Sequence, residues 1–366
     1  MIAGWEAKLE EWLKQGFIDA AAVERIRKYE SGATETLGLR WPMIIALVFG
    51  GLLFAAGVLL FVSAHWDNLS PSSRFLLVLA MVGSLHIGGA LAAERFSALS
   101  IVLHTIGTLG CGAGVMLAGQ IFNLAEHWPG GILMWAAGAA IGWAVLRHWT
   151  QAAILAVLAP AWLAGEWDVA SNHYRNGGEM VVFAGLLALG FTYFSACTPA
   201  ATGPLRIALC WIGGIGILPL AAIMPNLSRK GFNDPILPWL IAVCVPLLVA
   251  WLLRKEAAIY NLAAGAWVLL LAFSTHKYEN LWTVVVWAIG AVGITAWGVL
   301  ESRPERINLG MAAFLLTVIF YYFSNLFDKL ERSASLIVLG ILFLAAGWGL
   351  EKLRRRLIGR ISLEAR

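Results

Sequence analysis

The feature that most constrains the fold is a series of long apolar runs, which starts at residue 42 and continues almost to the end of the chain. Most runs have roughly the 20 residues that a helix needs to cross the hydrocarbon core of a membrane. Short polar segments separate them, as expected for helices that cross and return. The sequence predicts an all-α fold, a polytopic transmembrane helical bundle of up-down hairpins with about twelve spans: 42–64, 72–93, 98–124, 132–147, 150–166, 180–197, 207–224, 237–253, 257–274, 281–300, 307–324 and 334–350.

The composition supports this prediction, because 60% of the residues are apolar and only 13% are charged. Soluble domains carry roughly 25% charged residues, so a chain this poor in charge cannot cover a water-facing surface. A soluble enzyme, a nucleic-acid-binding protein and a secreted disulfide scaffold are excluded on this ground. The four cysteines lie in or at the end of apolar runs without a Cys-x-x-Cys pair, and we expect them to be packing residues.

Lysine and arginine are unevenly distributed between alternate polar segments. With the N-terminus inside, 19 of the 26 basic residues fall in the inner segments, among them Arg206, Arg254 and Arg306. Such an excess marks the cytoplasmic side of a membrane protein. We therefore predict that both termini are cytoplasmic. The basic tail, residues 351–366, is expected to lie against anionic lipid headgroups.

Residues 1–40 form the only sizeable polar segment. Apolar residues recur there at helical spacing in two stretches: Trp5, Leu9 and Trp12, then Val23, Ile26 and Tyr29. Gly16 would end the first helix and Asp19 would cap the second. This predicts a cytoplasmic helical hairpin. Because two helices this short do not fold alone, we expect contact with each other, with the membrane surface or with a protein partner.

Four of the apolar runs end alike, with a tryptophan one turn before a charged break. These tryptophans are Trp143, Trp251, Trp297 and Trp348. The similarity has two alternative interpretations: convergence on interfacial tryptophans, or duplication of a two-span hairpin.

Ionisable residues inside a span are costly and are usually functional. Every Asp, Glu, Lys and Arg falls in a polar segment or within about one turn of a span end, which argues against a transporter driven through a midplane carboxylate. His86 and His104 lie well inside spans, and we expect an interhelical hydrogen bond there, with a proton relay as the alternative. In the third run, Gly107, Gly110 and Gly114 share a face and predict close helix packing.

Polar residues gather at the predicted outer ends of the first three spans. Ser70 and Pro71 predict a helix start, from which Arg74 projects in the first turn. A candidate ligand-binding cluster consists of Asp67, Arg74, Gln120, Asn123 and Glu126. The alternative is a capping and salt-bridge network in which Arg74 pairs with Asp67 or Glu126. In either case we expect the Gln120 and Asn123 amides to face the interior, because they would be costly in lipid.

The sequence shows no catalytic, metal-binding or nucleotide-binding motif. Glu166, Asp168, His173 and Glu179 are ligand-type residues without a repeating spacing, and we predict a surface loop around Asp168 and His173. We expect no catalytic residue, no metal, no cofactor and no nucleic-acid partner.

Three motifs occur together in the first half of the chain: WLKQGFI at 12–18, an AHW…R turn at 64–74 and GQIFNL at 119–124. Together they resemble a bacterial family of predicted membrane proteins, domain of unknown function 2157, over roughly residues 8–150. The stretch 306–332 and the arginine-rich end are also similar to full-length members. The resemblance implies a bacterial inner-membrane location and brings no assigned activity.

Two classes of function follow. One is a transporter-like or lipid- or amphiphile-handling protein, supported by the number of spans, the repeated run ends and the outer polar cluster. The other is a non-catalytic membrane scaffold or assembly factor, supported by the missing intramembrane charges and by a hairpin suited to a partner. A membrane enzyme is a third class, for which the sequence shows no motif. A cavity reaching the midplane would favour the first class, and a solid bundle with an exposed apolar groove the second.

Overall fold

The computed structural model describes residues 9, 12–26, 41–65, 68–122, 127–173, 178–198, 202–227, 236–274, 281–325 and 341. All regular structure in these ranges is helical, and no β-strand occurs in them. The predicted all-α class is therefore confirmed. The chain divides into two compact units, Met1–Leu124 and Ala125–Arg366, which we describe separately.

The first unit contains three long helices: α1 (Trp41–Ala64), α2 (Pro71–Ala92) and α3 (Ser97–Ile121). The predicted start of α2 is confirmed, because the Ser70 hydroxyl accepts a 3.2 Å hydrogen bond from the Ser73 backbone N–H and Pro71 is the first helical residue. A small apolar core joins the three helices and consists of Ala55, Val78, Met81, Leu85 and Ile106.

The glycines of α3 allow this helix to pack closely against α2, as predicted. A Cβ atom at Gly107 would lie 2.9 Å from the His86 Nε2 atom, and one at Gly114 would lie 3.0 Å from Val78. Such distances leave no room for a side chain, so the glycine face of α3 is a helix–helix contact.

The second unit contains eight helices: α4 (Trp128–Leu146), α5 (Trp149–His173), α6 (Glu179–Phe194), α7 (Pro204–Ile223), α8 (Ile236–Arg254), α9 (Ile259–Ala272), α10 (Leu281–Leu300) and α11 (Pro304–Asn325). Short 3-10 helices follow α7 at Met224–Asn226 and precede α9 at Lys255–Ala258. Consecutive helices pack closely in three pairs, α4 with α5, α6 with α7 and α10 with α11.

Three of the tight turns in this unit use a left-handed residue that is not glycine. Arg147, Lys255 and Ser302 have φ values of 56°, 52° and 53°. This conformation costs roughly 1–2 kcal/mol for a residue with a Cβ atom, and it stops a helix abruptly. Each of these residues follows one of the repeated tryptophan endings, so three of the four predicted repeats share a turn geometry as well as a sequence.

Eight helical segments in the described ranges are long and apolar enough to cross a membrane. They are Pro71–Ala92, Ser97–Ile121, Trp128–Leu146, Trp149–Ala170, Pro204–Asn226, Ile236–Ala272, Leu281–Leu300 and Pro304–Phe323. Shorter apolar segments occur at Val48–Val58 and Glu179–Phe194. The first eleven predicted spans thus coincide with helices, while the last, 334–350, lies outside the described residues apart from residue 341. The count of twelve stays a prediction.

In the N-terminal segment the two predicted helix signals are present. The Asp19 carboxylate accepts a 2.7 Å hydrogen bond from the Ala22 backbone N–H, which caps the helix that follows. Gly16 has φ 75°, and Phe17 N–H donates to the Trp12 carbonyl at 3.0 Å, the arrangement of a Schellman helix end. Leu9 and Val23 are buried, whereas Trp12 is 46% exposed. Trp5 lies outside the described residues, and the hairpin as a whole stays a prediction.

Candidate functional site

The structure describes two of the five residues of the predicted outer cluster, Arg74 and Gln120, so the cluster stays a prediction. Asp67, Asn123 and Glu126 lie outside the described residues. Arg74 is half-buried in the first turn of α2, as its position after the cap requires. Gln120, in the last turn of α3, is exposed and does not face the interior of its unit as expected.

The predicted loop around Asp168 and His173 is wrong, because α5 continues to His173. Helix is possible there since the Glu166 carboxylate has partners on two sides. It accepts a 2.9 Å hydrogen bond from the Trp162 indole one turn earlier and lies 3.0 Å from the His127 Nε2 atom. His127 and Glu166 therefore form a surface pair between the start of α4 and the end of α5.

The expected hydrogen bond between His86 and His104 is confirmed. The two Nδ1 atoms are 3.0 Å apart, so one ring donates and the other accepts. Each ring lies over a glycine of the opposite helix, His104 over Gly89 and His86 over Gly107. The motif His-x-x-Gly therefore occurs once in α2 and once in α3, and each glycine makes room for the other helix's imidazole.

A buried network of charged side chains lies in the second unit, where α8, α10 and α11 end or begin. Glu301 is the first residue after α10, and its two carboxylate oxygens accept hydrogen bonds from Arg254 at the end of α8 and Arg306 in the first turn of α11. The side chains of Arg254, Glu301 and Arg306 are only 4%, 10% and 1% exposed. We call these three residues, with Asn261 and Trp297, the arginine network.

Trp297 is the aromatic centre of the arginine network. Its indole N–H donates a 2.9 Å hydrogen bond to Glu301, and the guanidinium groups of Arg306 and Arg254 lie 4.7 Å and 5.4 Å from its ring centre. These are cation–π distances. Trp297 is 4% exposed, unlike the exposed Trp143 and Trp251, so it is a core residue and not an interfacial anchor.

Hydrogen bonds connect the arginine network to the end of α6. Arg254 donates to the Asn261 side-chain oxygen at 2.8 Å, and the Asn261 amide donates to the Ser195 hydroxyl at 2.9 Å. Arg306 donates to the Cys197 carbonyl at 3.1 Å. Carbonyl groups at and beyond a helix C-terminus carry partial negative charge, which partly offsets the arginines.

A third arginine lies at the same place. Arg206, near the start of α7, donates a 2.9 Å hydrogen bond to the Ala196 carbonyl, next to the carbonyl that Arg306 uses. The ends of α6, α8 and α10 and the starts of α7, α9 and α11 thus lie at one end of the second unit. This is the arrangement that alternating up-down helices require.

The charges around Glu301 are opposite to those that helix dipoles favour. A carboxylate directly after α10 and an arginine at the start of α11 each face the unfavourable end of a helix. Burial by itself would raise the pKa of Glu301. The positive charge of Arg306 and the hydrogen bonds from Trp297, Arg254 and Arg306 outweigh burial and hold the pKa of Glu301 below its ordinary value of 4.5. Glu301 is therefore ionised and pairs with two arginines.

Two adjoining apolar pockets lie between the helices of this unit. The larger of these two, of about 420 Å³, is bounded by α7, α9, α10 and α11; its lining includes Ile217, Ala221, Trp287, Ala291, Thr317 and Phe320. A separate pocket of about 720 Å³ lies along α8 and α9. The smaller, of about 320 Å³, extends along α9 and α10 to Tyr260, Trp297 and Leu300. Both are bordered by Trp267, Gly290 and Ile294, so the Trp267 indole stands between them.

Sequence reasoning missed both the pockets and the arginine network. The sequence places Arg254 and Arg306 only in the basic inner segments, and the pair of Arg254 with Glu301 joins residues 47 positions apart along the chain. The sequence does contain one local signal for the network. Trp297 stands four residues before Glu301, and Glu301 and Arg306 each have the wrong charge for the helix end beside them. In the part of the chain that the structure describes, no three His, Cys, Asp or Glu side chains come close enough to hold a metal ion.

Comparisons with known proteins bear on the N-terminal part of the chain. Neither curated proteins nor solved structures gave a match. A family model described as a predicted membrane protein does match, over a range that includes α1 to α4 and ends before the arginine network and the pockets. The family resemblance inferred from the sequence motifs is thereby confirmed: residues 10–152 match the predicted membrane protein family DUF2157.

Proposed function

We propose that this membrane protein binds a membrane-soluble amphiphile whose apolar chain occupies the two adjoining pockets, which makes it a lipid- or amphiphile-handling protein. The larger pocket carries the proposal. Ligand sites commonly measure about 300–1,000 Å³, and an apolar cavity of only about 150 Å³ already binds benzene. A pocket of about 420 Å³ has room for a considerably longer chain.

The polar groups that line the larger pocket have partners in the protein. The Thr317 hydroxyl donates to the Ala313 carbonyl at 2.8 Å, and the Trp287 indole donates to the Ala221 carbonyl at 2.9 Å. The Trp267 indole donates to the Val286 carbonyl at 2.7 Å. With these groups satisfied, the lining offers little to water and favours an apolar occupant.

Access to the larger pocket is from the side of the helices and not only from their ends. Leu316 and Phe323 of α11 line the pocket and are 50% and 46% exposed, and the half-buried Phe320 lies between them in sequence. In a membrane this exposed face is in contact with acyl chains. An amphiphile therefore has a lateral route between α7 and α11 that does not cross water.

The proposal predicts that filling the larger pocket blocks binding. Ala313 lines the pocket, whereas its neighbour Ala312 is exposed and does not line it. Ala313→Phe should abolish labelling of α10 and α11 by a diazirine-bearing fatty acid, and Ala312→Phe should leave it unchanged. Equal labelling of the two variants would refute the proposed chain site.

The proposed location is a bacterial inner membrane, crossed about twelve times with both termini cytoplasmic. The convergence of Arg206, Arg254 and Arg306 at one end of the second unit supports this orientation, because all three were assigned to inner segments. Reporter fusions after residue 366 and between residues 174 and 177 would test it. An outside-active reporter at the first position, or an inside signal at the second, would overturn the topology.

A second function, membrane scaffold or assembly factor, is favoured by one observation. In the described N-terminal residues, Phe17 is 73% exposed, and Trp12 and Leu13 are 46% and 40% exposed. Such a surface suits a protein partner or the membrane surface. A photocrosslinking residue at position 17 should yield an adduct with one other protein if the scaffold function holds, and an adduct with lipid alone would exclude it.

A further inference from the structure

We propose that the arginine network, together with Arg206, is the headgroup site for an anionic, phosphate-bearing amphiphile whose chain passes through the smaller pocket into the larger one. The inference rests on the proposed function and names the chemical class of its ligand. It depends on three observations in the second unit: an excess of buried positive charge, unused hydrogen-bond donors, and a pocket that leads to them.

The arginine side chains at this end of the second unit outnumber the carboxylates that pair with them. Three guanidinium groups lie at this end of the unit, and the network holds one carboxylate, Glu301. Arg254 and Arg306 pair with Glu301, whereas the half-buried Arg206 donates to the Ala196 carbonyl. The neighbouring Arg303 and Glu305 form their own pair at 3.3 Å and add no net charge. Among the described residues, carbonyl groups and aromatic rings offset the remaining charge only partly, because neither carries a full negative charge. An anion would complete the neutralisation.

Unused donors point to the same conclusion. The Nε–H groups of Arg254 and Arg306 are both buried and have no hydrogen-bond partner among the described residues. A buried donor without a partner is costly, and most such groups in proteins are satisfied. Phosphate oxygens accept several hydrogen bonds at once and match the planar guanidinium fork.

The smaller pocket leads to this site. Leu300 is its last lining residue on α10, and Glu301 follows directly. Trp297 lines the pocket and also contacts both arginines of the network, while Tyr260 stacks on it at 6.0 Å. An apolar chain along α9 and α10 would thus place its headgroup beside the guanidinium groups.

The test uses two lipids that differ only in the headgroup. The full-length chain in detergent is titrated with a phosphatidic acid and with the diacylglycerol of the same chains, and bound lipid is measured by native mass spectrometry. We expect the phosphatidic acid to bind at least tenfold more tightly. Inorganic phosphate should not displace it, because the free ion lacks the chain.

Each outcome decides one part of the inference. Equal affinities for the two lipids would overturn the headgroup site and leave the proposed chain site intact. Binding of neither lipid would overturn both. Full displacement of phosphatidic acid by inorganic phosphate would show a site for the free anion and overturn the amphiphile assignment.

Variants locate the effect. Arg254→Gln should lower the affinity for phosphatidic acid by about ten- to a hundredfold, the value of one charged hydrogen bond, and leave the affinity for diacylglycerol unchanged. Retained diacylglycerol binding also reports that the variant is folded. Arg206→Gln, which leaves the Glu301 pairs intact, should act in the same direction. Arg147→Asn removes an exposed arginine that contacts neither pocket and should change neither affinity. Wild-type selectivity in both Arg254→Gln and Arg206→Gln would refute the assignment.

Discussion

Replacing Glu301 by glutamine should destabilise the second unit strongly. The change keeps the size of the side chain but removes the negative charge between Arg254 and Arg306, which are 4% and 1% exposed. Removing one partner of a buried ion pair costs about 3–5 kcal/mol, because the other charge stays buried and unpaired. Two charged hydrogen bonds at about 1.5–3 kcal/mol each give a similar range. We therefore expect a loss of about 3–5 kcal/mol.

Unfolding of purified protein in detergent, followed by intrinsic tryptophan fluorescence, measures this loss. The chain has 18 tryptophans, whose summed emission follows unfolding, and one of them, Trp297, donates directly to Glu301. Glu305→Gln is the matched control, since Glu305 is 47% exposed and pairs with Arg303 at the surface. Exposed pairs contribute about 0–1 kcal/mol. A loss below about 1 kcal/mol for Glu301→Gln, or equal losses for both variants, would refute the reasoning.

Three further predictions follow from the packing and the charges. The stabilisation by Glu301 should be fully present above pH 4.5, its ordinary pKa, and should be lost as the pH falls through its lower folded-state pKa. If the difference in free energy of unfolding between wild type and Glu301→Gln grew at acid pH, this prediction would be wrong. Gly310→Ala should lower the free energy of unfolding by about 1–3 kcal/mol, because its Cβ atom would lie 2.7 Å from the Ala291 carbonyl oxygen. Gly293→Ala is the control and should be neutral in the same unfolding assay, since a Cβ atom there has no neighbour within 4 Å. His86→Leu should lower the stability of the first unit by about 0.6–1.7 kcal/mol, the range for hydrogen bonds between membrane helices, and an unchanged midpoint would show that the histidine pair is dispensable.

The helices of this protein could be predicted closely because a membrane imposes a strong rule on sequence. A helix that crosses lipid must be apolar over its length, so α2, predicted at 72–93, is found at Pro71–Ala92. The rule fails where a polar residue finds a partner inside the protein. The predicted span 150–166 stops at Glu166, but the helix continues to His173 because Trp162 and His127 satisfy that carboxylate.

The candidate site could not be predicted in the same way. Arg254, Glu301 and Arg306 each stand at a helix end, where charged residues are ordinary, and only the packing of α8, α10 and α11 brings them together. The predicted outer cluster stays a prediction, because Asp67, Asn123 and Glu126 lie outside the described residues. Its members were grouped by position near span ends, and the exposed Gln120 shows that nearness to an end does not determine the direction of a side chain.

The position of the charges also limits the kind of function that the second unit supports. The arginine network lies at the helix ends, and the smaller pocket begins beside it at Trp297. In the proposed function, polar recognition and apolar accommodation would therefore occur at different depths of the same helices. This is the division found in an amphiphile, whose headgroup stays near the membrane surface while its chain lies in the core. An ion pathway would need charged groups at the middle of the spans, and among the described helices the Asp, Glu, Lys and Arg residues stand near the ends. The geometry therefore favours selection of a lipid-like molecule over conduction of an ion.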